Sequence, residues 1–139
     1  MIIAMSAMVF LTAIIGLMTL MARIRHTRDG KINPDYFKLM NDHEVPEDIV
    51  VTTRAFNNQF ELPVLFYVVT TLYLFLMPFD TLGFVLAWLF VFSRYVHAYI
   101  HLSYNHIIHR LIAFLLGFIC VIIMWINLLI NNFFSRSGI

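Results

Sequence analysis

Charged residues are scarce in this sequence, and cysteine is almost absent. Asp, Glu, Lys and Arg make up 12% of the 139 residues, whereas hydrophobic residues make up 61%. A soluble domain carries about twice that charged fraction, so the composition excludes an ordinary soluble fold. The net charge of +1 gives no bulk attraction to nucleic acid, and we expect no such partner. The single Cys120 cannot form an intramolecular disulfide. One small membrane domain over residues 1–139 remains.

Long apolar runs predict the fold. A helix needs about 20 apolar residues to cross a bilayer, and four runs are suited to this. A signal peptide is the rival interpretation of the first run, but no basic residue precedes it, and we expect a retained span. The connections after the second and third runs are short, which predicts antiparallel neighbours in an all-α, integral membrane four-helix bundle. The predicted spans cover residues 2–22, 60–77, 81–103 and 106–131.

Most of the charge is concentrated between the first two spans. This polar loop, residues 23–53, is rich in Lys and Arg, whereas the opposite side of the bundle offers only Arg136. The positive-inside rule therefore predicts that the loop is cytoplasmic and that both termini lie outside the cytoplasm. Pro46 followed by two acidic residues resembles the first turn of a helix, so the second helix is expected to begin near residue 47.

Two polar faces lie toward the same side of the predicted membrane. Arg54, Asn58 and Glu61 are spaced i, i+4 and i+7, which places them on one face of a continuous helix. Charged residues that enter a span are costly and usually have a partner or a function. Pro63 is expected to kink the same helix.

The second face belongs to the third predicted span. It carries Arg94, His97, His101 and Tyr104, and Arg110 opens the fourth span across the turn. The two faces together would line a pocket suited to an anionic ligand that also carries an amine. Arginine pairs bidentately with carboxylates, and Glu61 can accept a hydrogen bond from an ammonium group.

These residues also form a recognisable pattern. The chain resembles the MAPEG superfamily, the membrane-associated proteins in eicosanoid and glutathione metabolism, and is similar to its microsomal glutathione transferase branch and bacterial-type members. The resemblance covers nearly the whole chain and depends on Arg54-Ala55, Asn58, Glu61, Pro63, Arg94-Tyr95-x-His97 and Arg110.

The resemblance implies a function and an assembly. It implies a homotrimer in the bacterial inner membrane, with glutathione as co-substrate bound between neighbouring subunits near the cytoplasmic face. Arg23 or Arg25 would stabilise the glutathione thiolate, which would attack a small lipophilic electrophile or reduce a hydroperoxide. The residues that would bind glutathione are Arg54, Asn58, Glu61, Arg94, His97 and Arg110.

Two other functions are compatible with the residues. In a non-catalytic trimeric scaffold or lipid-binding subunit, the charged side chains would pair with one another between helices. In a membrane metalloenzyme, the pairs His97/His101 and His106/His109 would ligate a metal. Known histidine-box enzymes need more than the six histidines present, so we predict no metal site.

Overall fold

The computed structural model describes residues 1–39 and 45–137, and this part of the chain is helical without strands. Four of its helices are long and apolar enough to cross a membrane. The prediction of an all-α membrane bundle is therefore confirmed. Residues 40–44 of the predicted polar loop and the side chain of Arg136 lie outside the described part. The helices are α1 (Ile2–Arg28), α2 (Tyr36–Leu39), α3 (Glu47–Asn57), α4 (Leu62–Leu76), α5 (Thr81–Leu102) and α6 (Ile107–Ser137).

Helix α1 continues beyond residue 22, where the predicted span ends. Its buried stripe follows the three-and-four spacing of a helix face and extends to His26, so packing supports the extra turn. Arg25, His26 and Arg28 lie in the last turn, where positive charge favours the helix dipole. Gly30 then adopts a positive φ of 68°, which ends the helix. Arg23 and Arg25 are consequently helical residues rather than loop residues.

The second span is broken in its N-terminal half. Helix α3 ends at Asn57, a 3₁₀ turn covers Asn58–Phe60, and α4 begins after Glu61. Glu61 has φ −98° and ψ −101°, so it is not helical. The physical reason is Pro63, which has no N–H to donate and whose ring would clash with the carbonyl four residues earlier. The prediction that Arg54, Asn58 and Glu61 share the face of one continuous helix is therefore wrong.

The third helix ends one residue before the predicted end of its span. Helix α5 stops at Leu102, and Asn105 takes the left-handed conformation with φ 48°, which an asparagine tolerates better than most residues. Tyr104 is therefore not part of the α5 stripe. It is 55% exposed, and its hydroxyl lies 3.1 Å from Nδ1 of His109.

Helix α5 is the central element, because it packs against α1, α3, α4 and α6. Phe66 and Phe90 stack with ring centroids 4.2 Å apart between α4 and α5. Near the C-terminal end of α4, the buried Tyr73 donates to the carbonyl of Met124 at 3.0 Å, and Asn127 donates to the Tyr73 hydroxyl at 2.8 Å. These bonds satisfy buried polar groups and join α4 to α6.

The contact between α5 and α6 depends on Gly117. A Cβ at this position would lie 2.6 Å from the Ser93 hydroxyl oxygen, and 3.6 Å from Cδ of Arg94. Only a residue without a side chain lets the two helices approach this closely, as is common for helix pairs in membranes.

We predict that Gly117→Ala destabilises the bundle by about 1–3 kcal/mol, because the added methyl group overpacks the α5–α6 contact. Ser93→Ala removes the atom with which that methyl group collides. The double variant should therefore be more stable than the sum of the two single changes predicts. Unfolding in detergent gives the stability of the unmodified protein, the two single variants and the double variant. Strict additivity of the two changes would contradict this packing.

Candidate functional site

One end of the bundle contains an open cavity of about 850 Å³ between α1, α3 and the end of α5. Its walls are mainly apolar, with polar side chains from all three helices. The cavity is lined by Met18, Met21, Ala22, Arg25, Glu47, Asp48, Val51, Thr52, His101, Leu102, Ser103 and Asn105. Of the eight side chains predicted to bind or activate glutathione, Arg25 is the one in this lining.

His101 forms part of the inner wall and is only 1% exposed. Neither of its ring nitrogens has a hydrogen-bond partner within 3.5 Å in the described part of the chain. The Asn105 amide is close to the ring, but its oxygen already accepts from Nη1 of Arg110 at 2.8 Å. His101 also lies within electrostatic range of Arg54 and Arg110. The cavity wall therefore contains a buried histidine whose ring nitrogens have no hydrogen-bond partner among the described residues.

Arg25 projects from α1 and forms an ion pair with Asp48 on α3. The same oxygen of Asp48, Oδ2, lies 2.8 Å from Nε2 of His26, which is buried. The other carboxylate oxygen accepts from the backbone N–H of Ile49 at 3.1 Å. This cluster joins the last turn of α1 to the first turn of α3 at the cavity.

Arg23 has a different environment. Its Nη2 donates to the hydroxyl of Thr53 at 3.2 Å, and its guanidinium lies 5.3 Å from the centroid of the Phe37 ring. It does not line the cavity. The two arginines that the sequence left as alternatives are thus separated by the structure: Arg25 lies at the cavity and Arg23 packs against α3 and α2.

Arg94 is the largest fully buried side chain among the described residues. Its Nη2 donates to the backbone carbonyl of Asn58 at 3.3 Å, and its guanidinium lies 5.8 Å from the centroid of the Phe114 ring. Nε and Nη1 have no hydrogen-bond partner, and no carboxylate of the described residues lies within 4.0 Å. Glu61 is the carboxylate that interacts with it electrostatically from a greater distance. Within the described part of the chain, two of the three nitrogens of this buried guanidinium thus remain free to donate to a ligand.

The other residues predicted to bind glutathione differ in how deeply they are buried. His97 is buried next to Arg94, within electrostatic range of His101 and Arg110. Asn58 contributes its backbone carbonyl. Arg54 and Glu61 are exposed, and no ion pair joins them in the described part of the chain. The predicted site therefore has an inner group on α5 and α6 and an outer group on the broken second span.

Two pairs of histidines were the candidate metal ligands. The rings of His97 and His101 are 6.0 Å apart, and those of His106 and His109 are 4.4 Å apart. The residues that the structure describes contain no group of three or more His, Cys, Asp or Glu side chains that is arranged to hold a metal ion.

Comparison with known proteins identifies the family of the chain. The model of the MAPEG family matches residues 1–130. The chain belongs to the MAPEG family. No curated protein and no solved structure matches the chain. As a MAPEG protein, it is a membrane protein of the superfamily named for eicosanoid and glutathione metabolism.

Sequence reasoning did not identify His26 and Asp48 as part of the site of this MAPEG protein. It placed His26 in a loop and treated Asp48 as an acidic residue of a helix first turn. One signal was available, because His26 continues the buried stripe of α1 four residues after Ala22. A histidine on the buried face of a helix needs a polar partner, and a carboxylate at the start of the next helix can provide one.

We predict that Arg94→Met leaves the free energy of unfolding unchanged or raises it by about 1–4 kcal/mol. A methionine fills similar space without burying an incompletely paired charge. Arg94→Ala should be destabilising, because it leaves a cavity. Unfolding in detergent compares the two variants. If Arg94→Met were as destabilising as Arg94→Ala, the guanidinium would be a structural brace rather than a group retained for a ligand.

Proposed function

We propose that this MAPEG protein binds glutathione and acts as a glutathione transferase or peroxidase on lipophilic electrophiles at the cytoplasmic membrane interface. The observation that carries the proposal is a set of unneutralised arginines at one end of the bundle. Arg54, Arg94 and Arg110 have no carboxylate within ion-pair distance among the described residues. Uncompensated positive charge close to an apolar core favours an anionic ligand.

Glutathione has the chemistry that these residues require. It carries two carboxylates, which arginine binds through charge-assisted hydrogen bonds. It also carries one ammonium group, from which the exposed Glu61 can accept a hydrogen bond. The cavity of about 850 Å³ lies in the range of about 300–1,000 Å³ that is usual for small-molecule sites. Its apolar wall of Met18, Met21 and Leu102 is suited to a lipophilic second substrate.

The reaction follows from the thiol. In the transferase reaction, the thiolate sulfur forms a bond to an electrophilic carbon, and the leaving group departs with its electron pair. In the peroxidase reaction, two glutathione molecules reduce a hydroperoxide to an alcohol and water and are oxidised to the disulfide. A nearby guanidinium promotes either reaction, because it favours the thiolate over the thiol.

The proposal includes a homotrimer with sites between neighbouring subunits. Arg54 and Glu61 are exposed in the single chain, so a neighbouring subunit can complete the site around them. Native mass spectrometry of the detergent-solubilised protein should give the mass of three chains. A monomer that still binds glutathione would contradict the shared site.

We predict that calorimetry detects saturable glutathione binding to the purified protein and that Arg54→Ala weakens it at least tenfold. Losing one charge-assisted contact in a partly desolvated site costs about 1.5–3 kcal/mol. Lys31→Ala is the matched control, because Lys31 is also exposed and positively charged but is not among the residues predicted to bind glutathione.

No binding of glutathione at millimolar concentration would contradict the proposal. The trimer and its polar residues would then serve assembly or another ligand. Disruption of the trimer by Arg54→Ala would favour the non-catalytic scaffold over the transferase.

We predict that Glu61→Gln weakens binding of glutathione but not of an analogue in which hydrogen replaces the amino group. The amide lacks the negative charge that binds an ammonium group. The analogue has no ammonium group, so its binding does not depend on that charge. Calorimetry on both proteins with both ligands gives the coupling energy directly. Asp35→Asn is the control, because Asp35 pairs with Lys38 on the surface. Equal weakening of both ligands would show that Glu61 contacts another part of glutathione.

A further inference from the structure

We infer that the cavity between α1, α3 and α5 binds an uncharged amphiphile whose O–H group, that of an alcohol or a hydroperoxide, hydrogen-bonds to the buried His101. The inference deepens the proposed function, because it gives the chemical class of the lipophilic molecule and separates its site from the arginines assigned to glutathione. It rests on the proposed function only in regarding that molecule as a substrate.

The charge of the cavity wall does not favour an anionic ligand. Among the described residues, the wall carries one positive side chain, Arg25, and two negative ones, Glu47 and Asp48. Arg25 and Asp48 form an ion pair, so neither of them requires a charged ligand. Glu47 is exposed, so solvent already stabilises its charge. Because a carboxylate in the cavity would meet a net negative wall, an uncharged ligand is favoured.

The apolar part of the wall reaches the outer surface of α1. Met18 and Met21 line the cavity, and they are 36% and 60% exposed on a helix that is long and apolar enough to cross a membrane. Val51 on α3 and Leu102 on α5 continue this wall inward. Methionine side chains are flexible and polarisable, so they adapt to hydrocarbon chains of different shapes. A hydrocarbon chain can therefore enter from the bilayer along Met18 and Met21.

The polar side chains of the wall differ in whether their hydrogen bonds are already made. The hydroxyls of Thr52 and Ser103 donate to the backbone carbonyls four residues earlier, and the side-chain oxygen of Asn105 accepts from Nη1 of Arg110 at 2.8 Å. His101 is the exception. It is 1% exposed, and neither of its ring nitrogens has a partner in the described part of the chain. His101 is thus the buried polar group that a ligand in this cavity can satisfy.

An O–H group fits His101 in either tautomer of the ring. A neutral imidazole has one donor nitrogen and one acceptor nitrogen, and a hydroxyl group can accept from the first or donate to the second. A carbonyl or ether oxygen can only accept. A buried ring nitrogen without a partner is costly, and a bound hydroxyl group removes that cost. His101 therefore favours an alcohol or a hydroperoxide over a hydrocarbon of the same length.

The test is photolabelling of the full-length protein in lipid nanodiscs by dodecanol that carries a diazirine at the end of its chain. We expect saturable labelling of the segments around Met21, Val51 and Leu102, which line the cavity. Concentrations are expressed as mole fractions in the lipid, so that differences in partition into the bilayer do not affect the comparison. Unlabelled dodecanol should compete at a mole fraction at least about tenfold lower than dodecane or the anionic dodecanesulfonate. Dodecyl hydroperoxide should also compete, and the stronger of the two competitors identifies the O–H group that the site prefers.

Two pairs of variants locate the interaction. His101→Phe keeps a ring of similar size but removes both nitrogens, so dodecanol should then compete no better than dodecane. His106→Phe is the matched control, because His106 is exposed and is not among the described residues of the wall. Val51→Trp should fill the cavity and abolish its labelling, whereas Val50→Trp, at the neighbouring position outside the described wall, should retain it. The unfolding temperature of each variant shows that it is folded.

Equal competition by dodecanol, dodecane and dodecanesulfonate would overturn the inference, because the cavity would then be an unselective apolar groove. Undiminished competition by dodecanol in His101→Phe, or saturable labelling that persists in Val51→Trp, would also overturn it. The labelling is carried out without glutathione, so the two hypotheses can fail separately. Glutathione binding without cavity labelling would overturn the inference alone, and cavity labelling without glutathione binding would overturn the proposed function alone.

Discussion

The hydrogen bond from Arg94 to the carbonyl of Asn58 connects the main features of the structure. Pro63 interrupts the second span, and Nη2 of Arg94 donates to the backbone carbonyl of Asn58 within the interrupted segment. Arg94 reaches this backbone from α5 at full burial. Its position depends in turn on Gly117, which lets α6 approach α5, and on Phe114, which lies beside the guanidinium. The broken helix, the close α5–α6 contact and the buried charge therefore meet at Arg94.

This arrangement leaves a surplus of positive charge on the side where α1, α3 and α5 open into a cavity. Arg94 uses only part of its hydrogen-bonding capacity, and Arg54 and Arg110 have no acidic partner in the described part of the chain. Burial of unpaired charge lowers stability, so residues of this kind are retained where a ligand or a function requires them. The far end of the bundle is different, because the hydrogen bonds of Tyr73 and Asn127 satisfy buried groups there.

The apolar runs were sufficient to predict the four spans, because the length of a membrane helix is set by the bilayer and by hydropathy. The spacing of Arg54, Asn58 and Glu61 was misleading, because helical periodicity assumes a continuous helix and a proline two residues beyond Glu61 breaks it. The spacing of His26 on the buried stripe of α1 indicated a buried histidine but did not identify Asp48 as its partner, since the pair joins two helices across a loop. The pattern of individual residues predicted the family, but of the eight predicted site residues only Arg25 lies in the cavity lining.

The central claim is that the arginines at this end of the bundle hold an acidic thiol peptide, and ligand-linked stability tests it most directly. A ligand that binds only the folded state raises the unfolding temperature in proportion to the logarithm of its concentration above its dissociation constant. The unfolding temperature of the detergent-solubilised protein should therefore rise steadily with glutathione and remain constant with an uncharged tripeptide of similar size. An unfolding temperature that does not change at millimolar glutathione would contradict the account.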